Sequence, residues 1–295
     1  MSTRTMPRGI RGVLHQVMLF LPLTIGLSAC DGDSTGSDGD DVNNTDFEAS
    51  QQFRFAVAAD AATKLSLEGI TGSVEISGVS EPDSAIIGGQ RRVRSESMAD
   101  AEAHLSDLQV VVTQPGTAVV VKTEEPGDTH GRQYIVDYDI IVPSSWEVSA
   151  TNVTGNIEVN SSGNDLDLQG STGRIAVDEC TGDVDVNLVT GDIRLDGIQG
   201  NIDADNVTGN VTAEVYLPAG GDCDISLVTG NITLAIPQTT SAVFSAKVIT
   251  GLITLTDLSL DDASISQTLV TGTLGDGNGT IDLDVTTGAV NVDGF

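Results

Sequence analysis

The side chains best placed to do chemistry in this sequence are carboxylates. Asp178, Asp196 and Glu214 recur at intervals of 18 residues. If that interval is one turn of a repeat, the three form a column of oxygen ligands of the kind that suits Ca²⁺. Aspartate at a strand end also makes turns and keeps a surface charged. No Gly-Gly-x-Gly-x-Asp run of the Ca²⁺-binding β-helix repeats is present. The plainer reading is preferred: no resident metal or cofactor, with Asp178, Asp196 and Glu214 as weak candidates for Ca²⁺. The Asp-Gly-Asn-Gly run at 276–279 is read as a turn in the same way.

Paired carboxylates also suggest glycoside cleavage, but no pair stands out. After residue 150 the only bases are Arg174, Arg194 and Lys247, and none is evidently placed to stabilise developing negative charge. His104 falls in a predicted helix and His130 in a predicted turn, away from any feature that would make either a general base. No catalytic residue is expected, and the chain reads as a non-enzyme.

The elements that carry these residues are set by a repeat. From Thr172 the sequence divides into nine-residue units: TGRIAVDEC, TGDVDVNLV, TGDIRLDGI, QGNIDADNV and TGNVTAEVY. Glycine at the second position suits a turn that needs positive φ. Apolar residues at positions 4 and 6, between polar ones, make each unit a short strand with alternating faces. Beyond Gly209 the interval lengthens to 21 residues, at Gly230, Gly251 and Gly272, which reads as two strands plus a longer loop. Short coils stacked on one another predict an all-β fold, a β-solenoid of 18- to 21-residue coils over residues 151–295. Starting the coils at Gly155, Gly173, Gly191, Gly209, Gly230, Gly251 and Gly272 predicts a rod of about 30 to 35 Å at the usual strand spacing.

Position 9 of each unit is also apolar, so Cys180, Val189, Ile198, Val207 and Tyr216 are expected to point inward. Cys223 shares inward parity with Ile225 and Leu227 but lies two coils from Cys180, which exceeds the about 7 Å reach of a disulfide. Both are read as unpaired.

Residues 51–150 are a less regular β-rich part, with strands expected at 53–57, 64–67, 73–76, 108–113, 118–123 and 134–142. One helix is expected at Ser95 to Leu108, with Met98, Ala101, Leu105 and Leu108 on one face, placed to cover the first coil and protect a sheet edge.

The amino terminus has a different character. Arg4, Arg8 and Arg11 precede an apolar stretch, Val17 to Leu27, too short to span a bilayer. Leu27-Ser28-Ala29-Cys30 then resembles the lipobox of bacterial lipoproteins. That implies a lipoprotein signal peptide over 1–29 and a lipid anchor on Cys30, whose acyl chains, palmitate among them, would hold the chain to a membrane. Residues 30–50 carry seven acids and no base and read as a disordered acidic tether. A formal charge of −30 excludes nucleic acid as a partner on electrostatic grounds.

With the repeat established, the chain resembles the bacterial family of adhesin-like β-strand-repeat envelope proteins known as domain of unknown function 4097. The resemblance rests on the recurring (Val/Ile)-Thr-Gly-Asn-Ile units, the AEAHLSDLQVVV segment and the DYDIIVPSSWEV segment at 137–148. It implies a solenoid-like fold in the cell envelope and no established activity. The expected role is a membrane-anchored display or binding scaffold with an unidentified protein or glycan partner. The alternatives are an envelope-stress or assembly factor that binds a membrane protein, and a carbohydrate-active enzyme.

Overall fold

A computed structural model describes residues 45–295. The signal segment, Cys30 and most of the expected tether lie outside the described residues. The chain is all-β with one short helix. Strands β1 (Phe47–Ala58), β2 (Lys64–Thr71), β3 (Val74–Val79) and β4 (Ser84–Ser95) are followed by helix α1 (Met98–His104), then by β5 (Gln109–Thr113), β6 (Ala118–Glu124), β7 (Gln133–Pro143) and β8 (Glu147–Thr154). Next come β9 (Ile157–Ser162), β10 (Leu166–Thr172), β11 (Ile175–Cys180), β12 (Val184–Thr190), β13 (Ile193–Ile198), β14 (Ile202–Thr208), β15 (Val211–Val215), β16 (Asp222–Thr229) and β17 (Ile232–Ile236). The chain closes with β18 (Ala242–Thr256), β19 (Asp261–Ile265), β20 (Leu269–Leu274) and β21 (Gly279–Gly294).

These strands form two parallel ladders. The first runs β6, β2, β8, β10, β12, β14, β16, β21, β18. The second runs β7, β3, β9, β11, β13, β15, β17, β21, β18. Each chain segment contributes one strand to the first ladder, turns at a glycine, and contributes the next strand to the second. Antiparallel strands finish the ends: β5 on β6, β4 on β7 with β1 outside it, and β20 then β19 on β18.

Alternation explains why both ladders share one core. In β12, Val184, Val186 and Leu188 are buried while Asp185 and Asn187 face out, and the inward columns of both ladders join a single apolar cluster. At the corner, the line Gly72, Gly155, Gly173, Gly191, Gly209, Gly230, Gly288, Gly251 takes positive φ throughout. A Cβ on Gly191 would overlap the carbonyl oxygen of Gly173 on the adjoining rung. The corner is therefore closed to any residue with a side chain.

Several expectations need correction. Gly251 does not stack on Gly230, because Gly288 of the final strand lies between them. Gly272 begins no coil, since it belongs to antiparallel β20. Position 9 is inward in two units of the second ladder, where Cys180 and Ile198 are buried; Val189 and Val207 on the first ladder are exposed, and so is Tyr216 on the second, where a register shift puts Val215 opposite Ile198. On the first ladder the chain steps out before the corner. Leu188 pairs with Asn206 and Thr190 with Thr208, but Val189 and Val207 make no ladder pair. The helix is shorter than expected and starts from Ser97, whose Oγ accepts the Asp100 backbone N–H at 3.2 Å. Its buried face keeps Ala101, and Leu108 follows it into the core. Residues 47–50 belong to β1 rather than to a tether, because β1 pairs with β4 along its whole length. Strand β4 itself was not anticipated.

Candidate binding groove

The outward step before each glycine corner builds a groove along the first ladder, crossing its strands. Its volume is about 720 Å³. One wall is the stepped-out column Val153, Ser171, Val189, Val207, Val228, Thr286, Ile249; the other is Thr151, Gln169, Asn187, Asp205, Ser226, Asp284, Lys247. Between them lies a mostly buried column that includes Asn152, Gly170, Leu188, Asn206, Leu227 and Val285. Val189 is 51% exposed, Val228 48% and Ile249 66%.

Beside the polar wall, two residues earlier in each strand, Asp167, Asp185, Asp203, Asp224 and Asp282 stand in register on consecutive strands. Like charges directly opposite one another on neighbouring strands repel. Partial burial, then Asp203, Asp167 and Asp205, pushes the Asp185 carboxyl pKa up. Asp224 is raised in the same way, first by burial and then by Asp282, Asp203, Asp205 and Asp284. Lys247 is the one base lining the groove, and its Nζ lies 3.8 Å from the Asp284 carboxylate.

The Asp column was legible but missed. Aspartate is the second residue in each of LDL, VDV, IDA, CDI and IDL, whereas Asp178, Asp196 and Glu214 belong to the second ladder. Asp178 and Asp196 do pair in register. Glu214 does not continue the column, because the register shifts after Leu195 and Glu214 pairs with Ala235. Asp196 accepts from Arg194 Nε at 2.5 Å, and Glu214 from the Tyr216 hydroxyl at 3.1 Å. Among the described residues no group of three or more His, Cys, Asp or Glu is arranged to hold a metal ion.

The remaining candidates lie elsewhere. Cys180 and Cys223 are buried and unpaired, in different ladders, and burial pushes the Cys223 thiol up to about 12. His104 Nδ1 sits 2.7 Å from Asp107 Oδ2, and His130 is exposed beside Asp128. In the 276–279 turn, the Asp276 and Asn278 backbone N–H groups donate to Ser241 Oγ. None of these groups lines the groove. Among the described residues no helix is long and apolar enough to cross a membrane.

No protein-family model and no curated protein matches the chain. Solved structures with some similarity include a candidate cell-adhesion protein of Clostridium sporogenes, with a TM-score of 0.34 and 11% identity over 83% of this chain and 100% of that one. A candidate adhesin of Bacteroides fragilis gives 0.39 and 12% over 83% and 97%. One from Parabacteroides merdae gives 0.30 and 14% over 82% and 95%. Similarity at this level assigns no role to the groove.

Proposed function

We propose that the chain is a non-catalytic, adhesin-like scaffold of the cell envelope: a β-solenoid of two-strand coils, anchored to a bacterial membrane by lipid on Cys30, that displays a binding face. The observation that carries this reading is the groove. It follows the stack across seven strands with exposed valines and isoleucine on one wall and polar or acidic side chains on the other. A surface made by repetition suits recognition of an extended partner, whereas catalysis requires a few unlike groups converging on one point.

The anchor is tested by fractionating cells that express the chain or its Cys30→Ala variant. The parent chain is expected in the membrane fraction and resistant to salt and carbonate washes, with the variant released. Retention of the variant after both washes would refute the anchor. Crosslinking in the same cells tests display: capture of surface or neighbouring-cell components supports it, and a single inner-membrane protein partner would replace it with an assembly or stress-sensing role.

A further inference from the structure

We infer that the groove is a docking site for a basic, amphipathic helical segment of a partner protein. This rests on the reading of the chain as a binding scaffold and is independent of the lipid anchor.

Two unlike surfaces run side by side along the middle of the groove. Val189, Val207 and Val228 occupy successive strands of one wall, and Ile249 resumes the stripe on the last strand, beyond Thr286. Contiguous exposed apolar surface of this kind marks an interaction site rather than scattered surface residues. Across the floor stand Asp205 and Asp284, backed by the aspartate column through Asp185, Asp203 and Asp224. Apolar side chains on one flank and cations on the other would complement both walls, and pairing the carboxylates would relieve their mutual repulsion.

The floor between the walls is polar at Asn206. Asn206 is 4% exposed, and its Nδ2 donates to the Gly191 carbonyl at 2.8 Å. Its Oδ1 has no hydrogen-bond partner. A buried acceptor left unpaired is costly, and it makes Asn206 the weak point of the floor.

The ladder decides the form of the occupant. Apart from the stepped-out wall, the residues of this face already pair with adjoining strands, and that wall crosses the strands and offers no free edge, so a partner adds no strand here and binds through side chains, as a helix does in a groove. Seven strands span about 29 Å, which is the length of a helix of about 20 residues. No aromatic ring lines the groove, so a sugar ring would find no flat apolar face to stack on. Lys247 at one end gives the site a polarity, with the helix carboxy terminus at that end.

The test uses the full chain and a labelled 20-residue Leu/Lys amphipathic helical peptide, followed by fluorescence anisotropy, with a Leu/Glu peptide of the same pattern as control. The Lys peptide is expected to bind, more weakly as salt rises, and the Glu peptide not to bind. Val207→Thr, Val228→Thr and Ile249→Thr together should weaken binding about tenfold with the salt dependence kept. Asp205→Asn with Asp284→Asn should weaken it and flatten the salt dependence. Thermal melts establish that the variants remain folded. Removing equal charge on the second ladder, Glu158→Gln with Asp178→Asn, should leave affinity unchanged.

Equal loss from the second-ladder pair would show diffuse attraction to an acidic protein and overturn the site. So would unchanged binding in both groove variants, or displacement of the peptide by a neutral chito-oligosaccharide. A chain that binds the peptide but is released from membranes refutes only the anchor. An anchored chain that fails to bind refutes only the groove.

Discussion

Asn206 Nδ2 donates to the carbonyl oxygen of Gly191 at 2.8 Å, and Asn152 Nδ2 does the same to Gly72 at the same distance. Each amide therefore ties the last inward position of one strand to the glycine corner of the adjoining rung. At the same position other strands carry Leu188, Leu227, Val285 and Gly170, so the tie is one solution among several. Asn206 also has its unpartnered Oδ1. Replacing Asn206 with Ala should cost about 1–3 kcal/mol, because the bond is lost and a small cavity is left. Asn206→Leu, which removes the orphan acceptor and matches its neighbours, should stay within about 1 kcal/mol of the parent. Urea denaturation of both variants measures the difference, and an Asn206→Leu cost as large as that of Asn206→Ala would contradict this account.

The glycine corner should tolerate no side chain. Gly191 has φ of +137° and abuts the Gly173 backbone, whereas Gly116, at φ +69° in the β5–β6 turn, has nothing within 4 Å of a Cβ. Gly191→Ala should cost at least about 3 kcal/mol through strain and overlap, against about 1 kcal/mol for Gly116→Ala. Equilibrium melts that rank the two equally would remove the corner's special status.

Strain of the opposite kind lies in the second ladder. Glu179 and Ser161 hold φ values of 58° and 57°, and the matching position in β13 is Gly197 at 68°. Glu179→Gly should therefore stabilise the protein by about 0.5–1 kcal/mol, the gain from relieved left-handed strain less the added entropy of the unfolded chain. A lower melting temperature for this variant would count against the assignment.

The aspartate column makes stability fall as pH rises through the upper carboxylate range. Asp185 and Asp224 have folded pKa values above their unfolded ones, so in that window the native state binds more protons, and lowering the pH favours folding. Asp100 behaves oppositely. Arg132, through bonds of 2.6 and 2.8 Å, and then Ser95 hold its carboxyl well below the usual range. The stability it contributes is full above its unfolded pKa and is lost at strongly acid pH. Melting temperature should therefore rise on acidification from neutrality and then fall. Asp185→Asn with Asp224→Asn should raise it at neutral pH and flatten the first limb. A melting temperature that drops monotonically from pH 7 would contradict the column's role.

The local geometry was far more legible in the sequence than the assembly. Repeated Val-Thr-Gly triplets marked the corners, and alternation marked the strands. Strand β4 escaped because Gly88-Gly89 and Arg91-Arg92 interrupt its alternation. The exposure of Val189 and Val207 escaped because the outward step depends on the corner and not on residue type, and the groove escaped with it. The order of stacking could not be read at all, since Ile232, Val290 and Ile253 stand at equivalent positions of interchangeable strands. Only the packed structure selects Val290 as the neighbour of Ile232.

That order gives the sharpest prediction. Strand β21 ends the chain but lies inside the stack, between β16 with β17 on one side and β18 on the other. In a sequentially stacked solenoid, removing the terminal strand would shorten the rod and leave the rest intact, because each rung contacts only its neighbours. Here, deleting residues 277–295 removes an internal rung and leaves β18, β19 and β20 without their link to the stack. The truncated chain should lose protection of backbone amides throughout 242–274 while 147–215 stays protected. In the parent chain, amides of residues 281–292 should exchange as slowly as those of β12 despite their nearness to the terminus. Hydrogen exchange read by mass spectrometry checks both, and rapid exchange of 281–292 in the intact protein would show that β21 is a peripheral strand.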